Sequence, residues 1–238
     1  MKIERSPEME RKILDKIKAH LQRAPRSLDK WHVSDLLYPR KSYWQRIKPQ
    51  PMTDLQALYF TAGRAHHGML EACLGKWEKK KGDRADAGEF EKFGIYYSPD
   101  LRMPYPWEIK TSRSEYEPKN LLKGFEAYLK QLCKYQTCMG DDKGGLLVFF
   151  LGLREGFRKV PTIRFYKVLM TAKERAGEAA NIKRIVAALN KAIKSKKHAE
   201  LELCPAWMCK DCPWYRECKP WLQDAKRKER KLDEDEEA

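Results

Sequence analysis

The chain has 238 residues, of which 42% are hydrophobic and 35% charged, a balance that supports one packed domain with a small appendage and excludes wholesale disorder. Lys+Arg 49 against Asp+Glu 34 gives a net charge of +15, and the acidic run at 233–237 makes the remainder more basic still, so a polyanion, nucleic acid first, is the expected partner. No apolar run nears the ~20 residues that cross a bilayer, and the charged opening MKIERSPEMERK offers no secretory signal, so a cytoplasmic location without membrane attachment is expected.

In chain order, Ser6-Pro7 can open a helix whose apolar stripe is Met9, Ile13, Ile17 and Leu21, ended by Pro25. Short helical pieces broken by prolines follow over 31–51. Thr53-x-x-Gln56 reads as a capping box opening a long helix to about Lys81. The period then changes: Glu89–Tyr97 and Trp107–Ser112 read as strands joined by a proline-studded turn. Pro118 starts a helix that runs to Met139 and stops at Gly140. The apolar run at 146–153 predicts a buried strand, and Thr162–Val168 a more exposed one. Thr171 to Lys197 is helical, a cysteine cluster follows, and the charged tail ends the chain. This order predicts an α/β fold, a core sheet flanked by helices.

The sharpest chemical signal lies at 98–110. Ser98-Pro99-Asp100 is followed after seven residues by Glu108-Ile109-Lys110. Alternate residues of a strand share a face, so Glu108 and Lys110 point the same way, and a hairpin would bring Asp100 beside them. Two carboxylates suit a hard divalent cation, and a lysine can orient a water or stabilise charge on a phosphate. An isolated E-x-K is more often a surface ion pair, so other residues must carry the case. Gly63, His67 and Glu71 share a face of the long helix. His67 is a candidate nitrogen ligand, preferred over its neighbour His66, which points about 100° away. Gln131 and Tyr135 stand at i and i+4 on the later helix and can hydrogen-bond a phosphate or the lysine.

The order G-x-x-x-H-x-x-x-E, P-D, E-x-K-T, Q-L-x-x-Y resembles the RecB-like branch of the PD-(D/E)XK nuclease superfamily, which includes exonucleases associated with CRISPR systems and with recombination. The segment SDLLYPRKSYW resembles the N-terminal stretch of the same group. The resemblance implies a restriction-endonuclease-like core sheet flanked by helices, with a C-terminal cysteine-rich metal-cluster lobe. It implies an Mg²⁺- or Mn²⁺-dependent deoxyribonuclease, most simply an exonuclease on DNA ends or single strands. A structure-specific endonuclease and a non-catalytic nucleic-acid-binding module with a zinc lobe are the alternatives. The implied metal ligands are His67, Asp100, Glu108 and the backbone carbonyl of Ile109. The implied catalytic set is Asp100, Glu108, Lys110, Gln131 and Tyr135. The expected organisation is a helical segment at 1–33, a nuclease core at 34–200, a cluster lobe at 201–223 and a charged tail at 224–238. No G-x-x-x-x-G-K-[ST] occurs, so a helicase or recombination protein would act as a separate partner in repair or recombination.

Cys209-x2-Cys212-x5-Cys218 matches the last three ligands of the iron–sulfur members of that branch. Their N-terminal cysteine, just before P-R-K, is replaced here by Tyr38, and Cys204 is the obvious substitute. Four thiolates suit a [4Fe–4S] cluster or Zn²⁺. Arg40, Lys41, Tyr43, Trp44 and Arg46 interleave charge with aromatic rings and are candidate nucleic-acid contacts, although Tyr43 and Trp44 can equally pack the cysteine lobe. Arg64, Arg113, Lys119 and Lys123 are weaker candidates for the DNA backbone.

Overall fold

The computed structural model describes residues 7–21, 28, 30–79, 90–102, 104–209 and 212–218. The first helix, α1 (Pro7–Leu21), packs on α3 (Asp54–Lys79), where Arg11 and Lys18 bind Asp54 at 2.7 and 2.9 Å. Its expected apolar stripe is only partly used. Leu21 is buried, but Met9 and Ile13 are exposed. Between these helices the chain forms β1 (Trp31–His32), a 3₁₀ turn (Val33–Leu36) and α2 (Pro39–Ile47). The capping box at the start of α3 is present: the Thr53 amide donates to the Gln56 side chain at 3.0 Å, and the Gln56 amide to the Thr53 hydroxyl at 3.2 Å.

The 89–97 segment is a tight hairpin, β2 (Phe90–Lys92) and β3 (Ile95–Tyr97), turning through Phe93 and Gly94. The next strand, β4 (Trp107–Ser112), does not pair with it. β4 joins the long strand β5 (Lys143–Glu155) in parallel, and β5 turns back antiparallel onto β6 (Arg158–Leu169). Among the described residues the expected core sheet is two three-stranded sheets, ordered β1-β3-β2 and β4-β5-β6. β1 lies parallel to β3 and supplies the pairing that the sequence assigned to helix.

The helix expected over 118–139 is two, α4 (Leu121–Gly124) and α5 (Glu126–Met139). Asn120 caps α4 by accepting from the Lys123 amide at 3.1 Å, and Phe125 leaves helical geometry. Gly124 sits at this break because a Cβ there would meet Pro118 at 2.2 Å. α5 ends where Gly140 takes a left-handed φ of 84° and its amide returns to the Gln136 carbonyl. α6 (Ala172–Ser195) starts at a Thr171/Glu174 capping box, and a short turn, α7 (Ala206–Cys209), leads into the last cysteines.

Three apolar clusters hold these layers. α6 lays Ile182, Ile185 and Leu189 against Trp31 and Ile95 of the small sheet. α5 lays Leu132 against Leu146, Val148 and Phe150 of β5. On the opposite face of that sheet, Leu70 of α3 meets Leu101, Ile109 and Leu147. Each such fully buried side chain contributes on the order of 1.5–3 kcal/mol. The β4-β5-β6 sheet is thus sandwiched between α5 and α3, and β4, at its edge, is free to receive the Asp100 segment.

Candidate active site and thiol lobe

Register decides which way the key residues face. Glu108 pairs with Leu146 and Lys110 with Val148, the β5 residues covered by α5. Ile109, between them, faces α3. Glu108 and Lys110 therefore point into the α5 side of the sheet. Asp100 reaches them from the strand edge, by a smaller device than a hairpin. A single antiparallel bridge joins Leu101 to Trp107, and the Asp100 carboxylate accepts from the Ile109 amide at 2.6 Å. It thereby satisfies an edge N–H that no strand covers.

Glu108 is fully buried, and its carboxylate pairs with the Lys110 ammonium, whose side chain is 28% exposed. Burial pulls the Lys110 pKa down, but Glu108 and then Asp100 outweigh it, and the pKa is raised. Lys110 also lies over the Tyr128 ring at 5.7 Å. From α5, the Gln131 amide donates to the Tyr135 hydroxyl at 3.0 Å. Burial, then the Glu108 and Asp100 carboxylates, hold Tyr135 well above the ordinary range of a phenol, so it keeps its proton. Both carboxylates act on Lys110 and on Tyr135, so Asp100, Glu108, Lys110 and the Gln131–Tyr135 pair form one constellation.

The side chains of His67 and Glu71 lie outside the described residues. His66 is accounted for: its Nδ1 donates to the Ala62 carbonyl at 2.8 Å and its ring packs on Phe149 at 5.3 Å. Among the described residues no three of His, Cys, Asp or Glu stand in one metal-holding group. The donor set nonetheless fits a hard cation in kind, with two carboxylates and the Ile109 carbonyl around a strand edge.

The basic–aromatic segment of α2 does something other than contact solvent. Arg40 is buried and its guanidinium donates to the carbonyls of Ala199 and Leu201. Arg46 is buried on Asp35 at 3.0 Å and stacks on Trp31 at 3.8 Å. Tyr43 is core, and Trp44 packs on His198 at 4.8 Å. These four residues, expected at a nucleic-acid surface, are structural because the post-α6 loop and the cysteine turn fold over them. Arg64, Arg113, Lys119 and Lys123 are exposed.

Cys204, Cys209, Cys212 and Cys218 line one cavity of about 440 Å³ with Trp44, between α2, α3 and the C-terminal turn, but these thiols do not stand in one metal-holding group. The Trp44 indole donates to the Cys218 sulfur at 3.1 Å. Such an N–H donor suits a ligating thiolate. Trp214 donates to the Lys48 carbonyl at 2.8 Å, fastening the turn to α2. Sequence reasoning missed Tyr59, whose ring lies under Arg113 at 4.0 Å, because the two are 54 positions apart.

No protein-family model and no curated protein matches this sequence. Among solved structures, SSO0001 is similar at 22% identity and a TM-score of 0.55, over 88% of this chain and 96% of that one. An alkaline exonuclease (LHK-Exo) from Laribacter hongkongensis is a looser match, at 14% identity and a TM-score of 0.44, over 76% of this chain and 95% of its own, and it bears no weight here. The likeness to SSO0001 is one of fold: a mixed α/β architecture shared along nearly the full length of both chains.

Proposed function

We propose that the chain is a metal-dependent nuclease of the PD-(D/E)XK type that hydrolyses DNA phosphodiester bonds. The observation that carries this reading is the constellation at the β4 edge: Asp100 and Glu108 beside a protonated Lys110, backed by Gln131 and Tyr135 from α5. A surface ion pair would not bury its carboxylate completely, nor set a second carboxylate beside the same lysine and a protonated phenol beside both carboxylates.

A bound Mg²⁺ or Mn²⁺, held by Asp100, Glu108, the Ile109 carbonyl and His67, would polarise the phosphate and acidify a water. Lys110 carries a positive charge at neutral pH and stabilises negative charge that builds on the phosphate oxygens. The Tyr135 hydroxyl, oriented by Gln131, is a fixed donor on the same side. The apolar packing of α5 and α3 on either face keeps these groups in register. An exonuclease acting on ends or single strands is the favoured form, with a helicase or recombination protein as its separate partner.

The thiol lobe belongs to the same proposal. The spacing of Cys209, Cys212 and Cys218 resembles that of the iron–sulfur members and favours a [4Fe–4S] cluster completed by Cys204, with Zn²⁺ the alternative, and all four thiols line one cavity.

The test is a cleavage assay on 5′- and 3′-labelled DNA, linear and circular, with metal varied. Cleavage should require Mg²⁺ or Mn²⁺. Asp100→Ala, Glu108→Ala and Lys110→Ala should each lose a thousandfold or more, about 4 kcal/mol of barrier. His67→Ala should be more damaging than His66→Ala. Full activity of Lys110→Ala would overturn the assignment, and cleavage of closed circles would move it to an endonuclease.

A further inference from the structure

Helix α3 exposes an apolar run near its start. Leu55, Leu58, Tyr59 and Phe60 are each about half open to solvent. A cluster of that kind on a basic, charge-rich chain calls for a partner. Arg113, the residue that follows β4, lies over the Tyr59 ring at 4.0 Å and is itself exposed. Three cations on β5 and β6 near this end of the sheet are neutralised by carboxylates. Lys159 and Arg154 bind Glu115, and Arg164 binds Glu117. Among the described residues Arg113 has no carboxylate partner; its contact is the aromatic ring. Arg64 is exposed further along α3.

The stack stands at the end of β4. Arg113 lies three residues beyond Lys110, just past the strand and ~10 Å along its direction, and it meets α3, whereas Lys110 faces α5 across the sheet. That is about three base-pair steps of duplex, and fewer of an extended single strand. A guanidinium plane backed by an aromatic ring is a surface on which an unpaired base can stack, while its charge attracts the flanking phosphate. Paired bases in a duplex present no open face to it.

We propose that the Tyr59–Arg113 pair is a base platform at the end of β4, around the strand edge from the catalytic constellation, and that it makes this chain bind single-stranded DNA more tightly than duplex. The proposal rests on the nuclease reading for its purpose but not for its test. Tyr59 backs the guanidinium, the base stacks on its outer face, and the flanking phosphate meets its charge.

The experiment measures binding of the full chain, in EDTA, to a fluorescent single strand and to a blunt duplex of the same sequence. A second set of strands carries 2-aminopurine, whose fluorescence is quenched on stacking. Tyr59→Ala and Arg113→Ala should each weaken single-strand binding about tenfold, relieve the 2-aminopurine quench, and change duplex binding less than twofold. Tyr59→Phe should keep wild-type binding and quench. Arg113→Lys should keep the salt slope but lose the quench, whereas Arg113→Ala should lower the slope by about one. Equal losses on single strand and duplex, or an unchanged quench in Tyr59→Ala, would overturn the platform. So would a change of oligomeric state in Tyr59→Ala, seen by light scattering, with DNA binding unmoved. A stacking signal without any Mg²⁺- or Mn²⁺-dependent cleavage would leave the platform standing and refute the nuclease reading alone.

Discussion

Lys110 and Glu108 illustrate how one residue pair serves both the fold and the proposed chemistry. Glu108 carries a carboxylate that is fully buried, and burying a charge is tolerated only with a close opposite charge or several hydrogen bonds. Lys110 provides that charge while its own side chain keeps 28% of its surface in water. The two truncations should therefore be unequal. Lys110→Ala strands a buried negative charge and should cost about 3 kcal/mol of stability at pH 7. Glu108→Gln leaves an ammonium that water can still reach, and should cost clearly less. The pH dependence has a definite sign. Because Glu108, ahead of Asp100, lifts the Lys110 pKa above its ordinary 10.5 despite burial, its contribution is complete below about pH 10.5. It is lost as the pH rises through the raised value. Urea titrations at pH 7, 9 and 11 should show a constant gap between wild type and Lys110→Ala up to pH 9 and a narrower one at pH 11.

At the scale of elements, the fold depends on a few fasteners between segments distant in sequence. Arg40, from the first turn of α2, crosses to the carbonyls of Ala199 and Leu201 just after α6, 159 and 161 residues away. These buried carbonyls have no strand or helix to satisfy them, so the guanidinium fork completes their hydrogen bonding. Hydrogen bonds to a charged group contribute roughly 1.5–3 kcal/mol each, and a lysine cannot reproduce the fork. Arg40→Lys is therefore expected to lose about 2–4 kcal/mol in equilibrium denaturation, with little change in the denaturant slope. A loss below 0.5 kcal/mol would show that Arg40 is accessible and available for phosphate, as its sequence context suggests. The same logic explains the Asp100 turn. β4 is an edge strand, and an edge N–H aimed at solvent is a place where a carboxylate can be held without a full strand partner.

For the molecule as a whole, the C-terminal turn is held mainly by polar contacts to α2, such as Trp214 to Lys48 and Trp44 to Cys218, together with the wall of the thiol cavity. Closing four thiolates around a metal would convert this turn into a clasp. Protein purified without oxygen should contain iron and acid-labile sulfide, measured by metal analysis and by its visible absorption. Cys204→Ala, Cys209→Ala, Cys212→Ala and Cys218→Ala should each lose the cluster and lower the melting temperature. Full metal content in Cys204→Ala would exclude it as the fourth ligand. One zinc per chain without sulfide would replace the iron–sulfur reading and leave the nuclease reading intact. Among the described residues no helix is long and apolar enough to cross a membrane.

The sequence by itself determined what is written in consecutive residues. The capping box at Thr53, the glycine stop after α5, and the shared face of Glu108 and Lys110 follow from dihedral preferences and from the twofold period of a strand. Only the tertiary structure decided which segments meet. Nothing in 89–112 announces that β4 leaves the β2–β3 hairpin for β5, because both pairings satisfy the same local pattern and the choice is made by burial against α5 and α3. The same holds for single side chains. Arg40 and Arg46 read as surface cations and are buried, because carbonyls and a carboxylate from other segments arrive to meet them. Tyr59 reads as one more residue of an amphipathic helix. It acquires a meaning when Arg113 is laid over it, since stacking depends on distance in space and carries no mark in either residue's own neighbourhood along the chain.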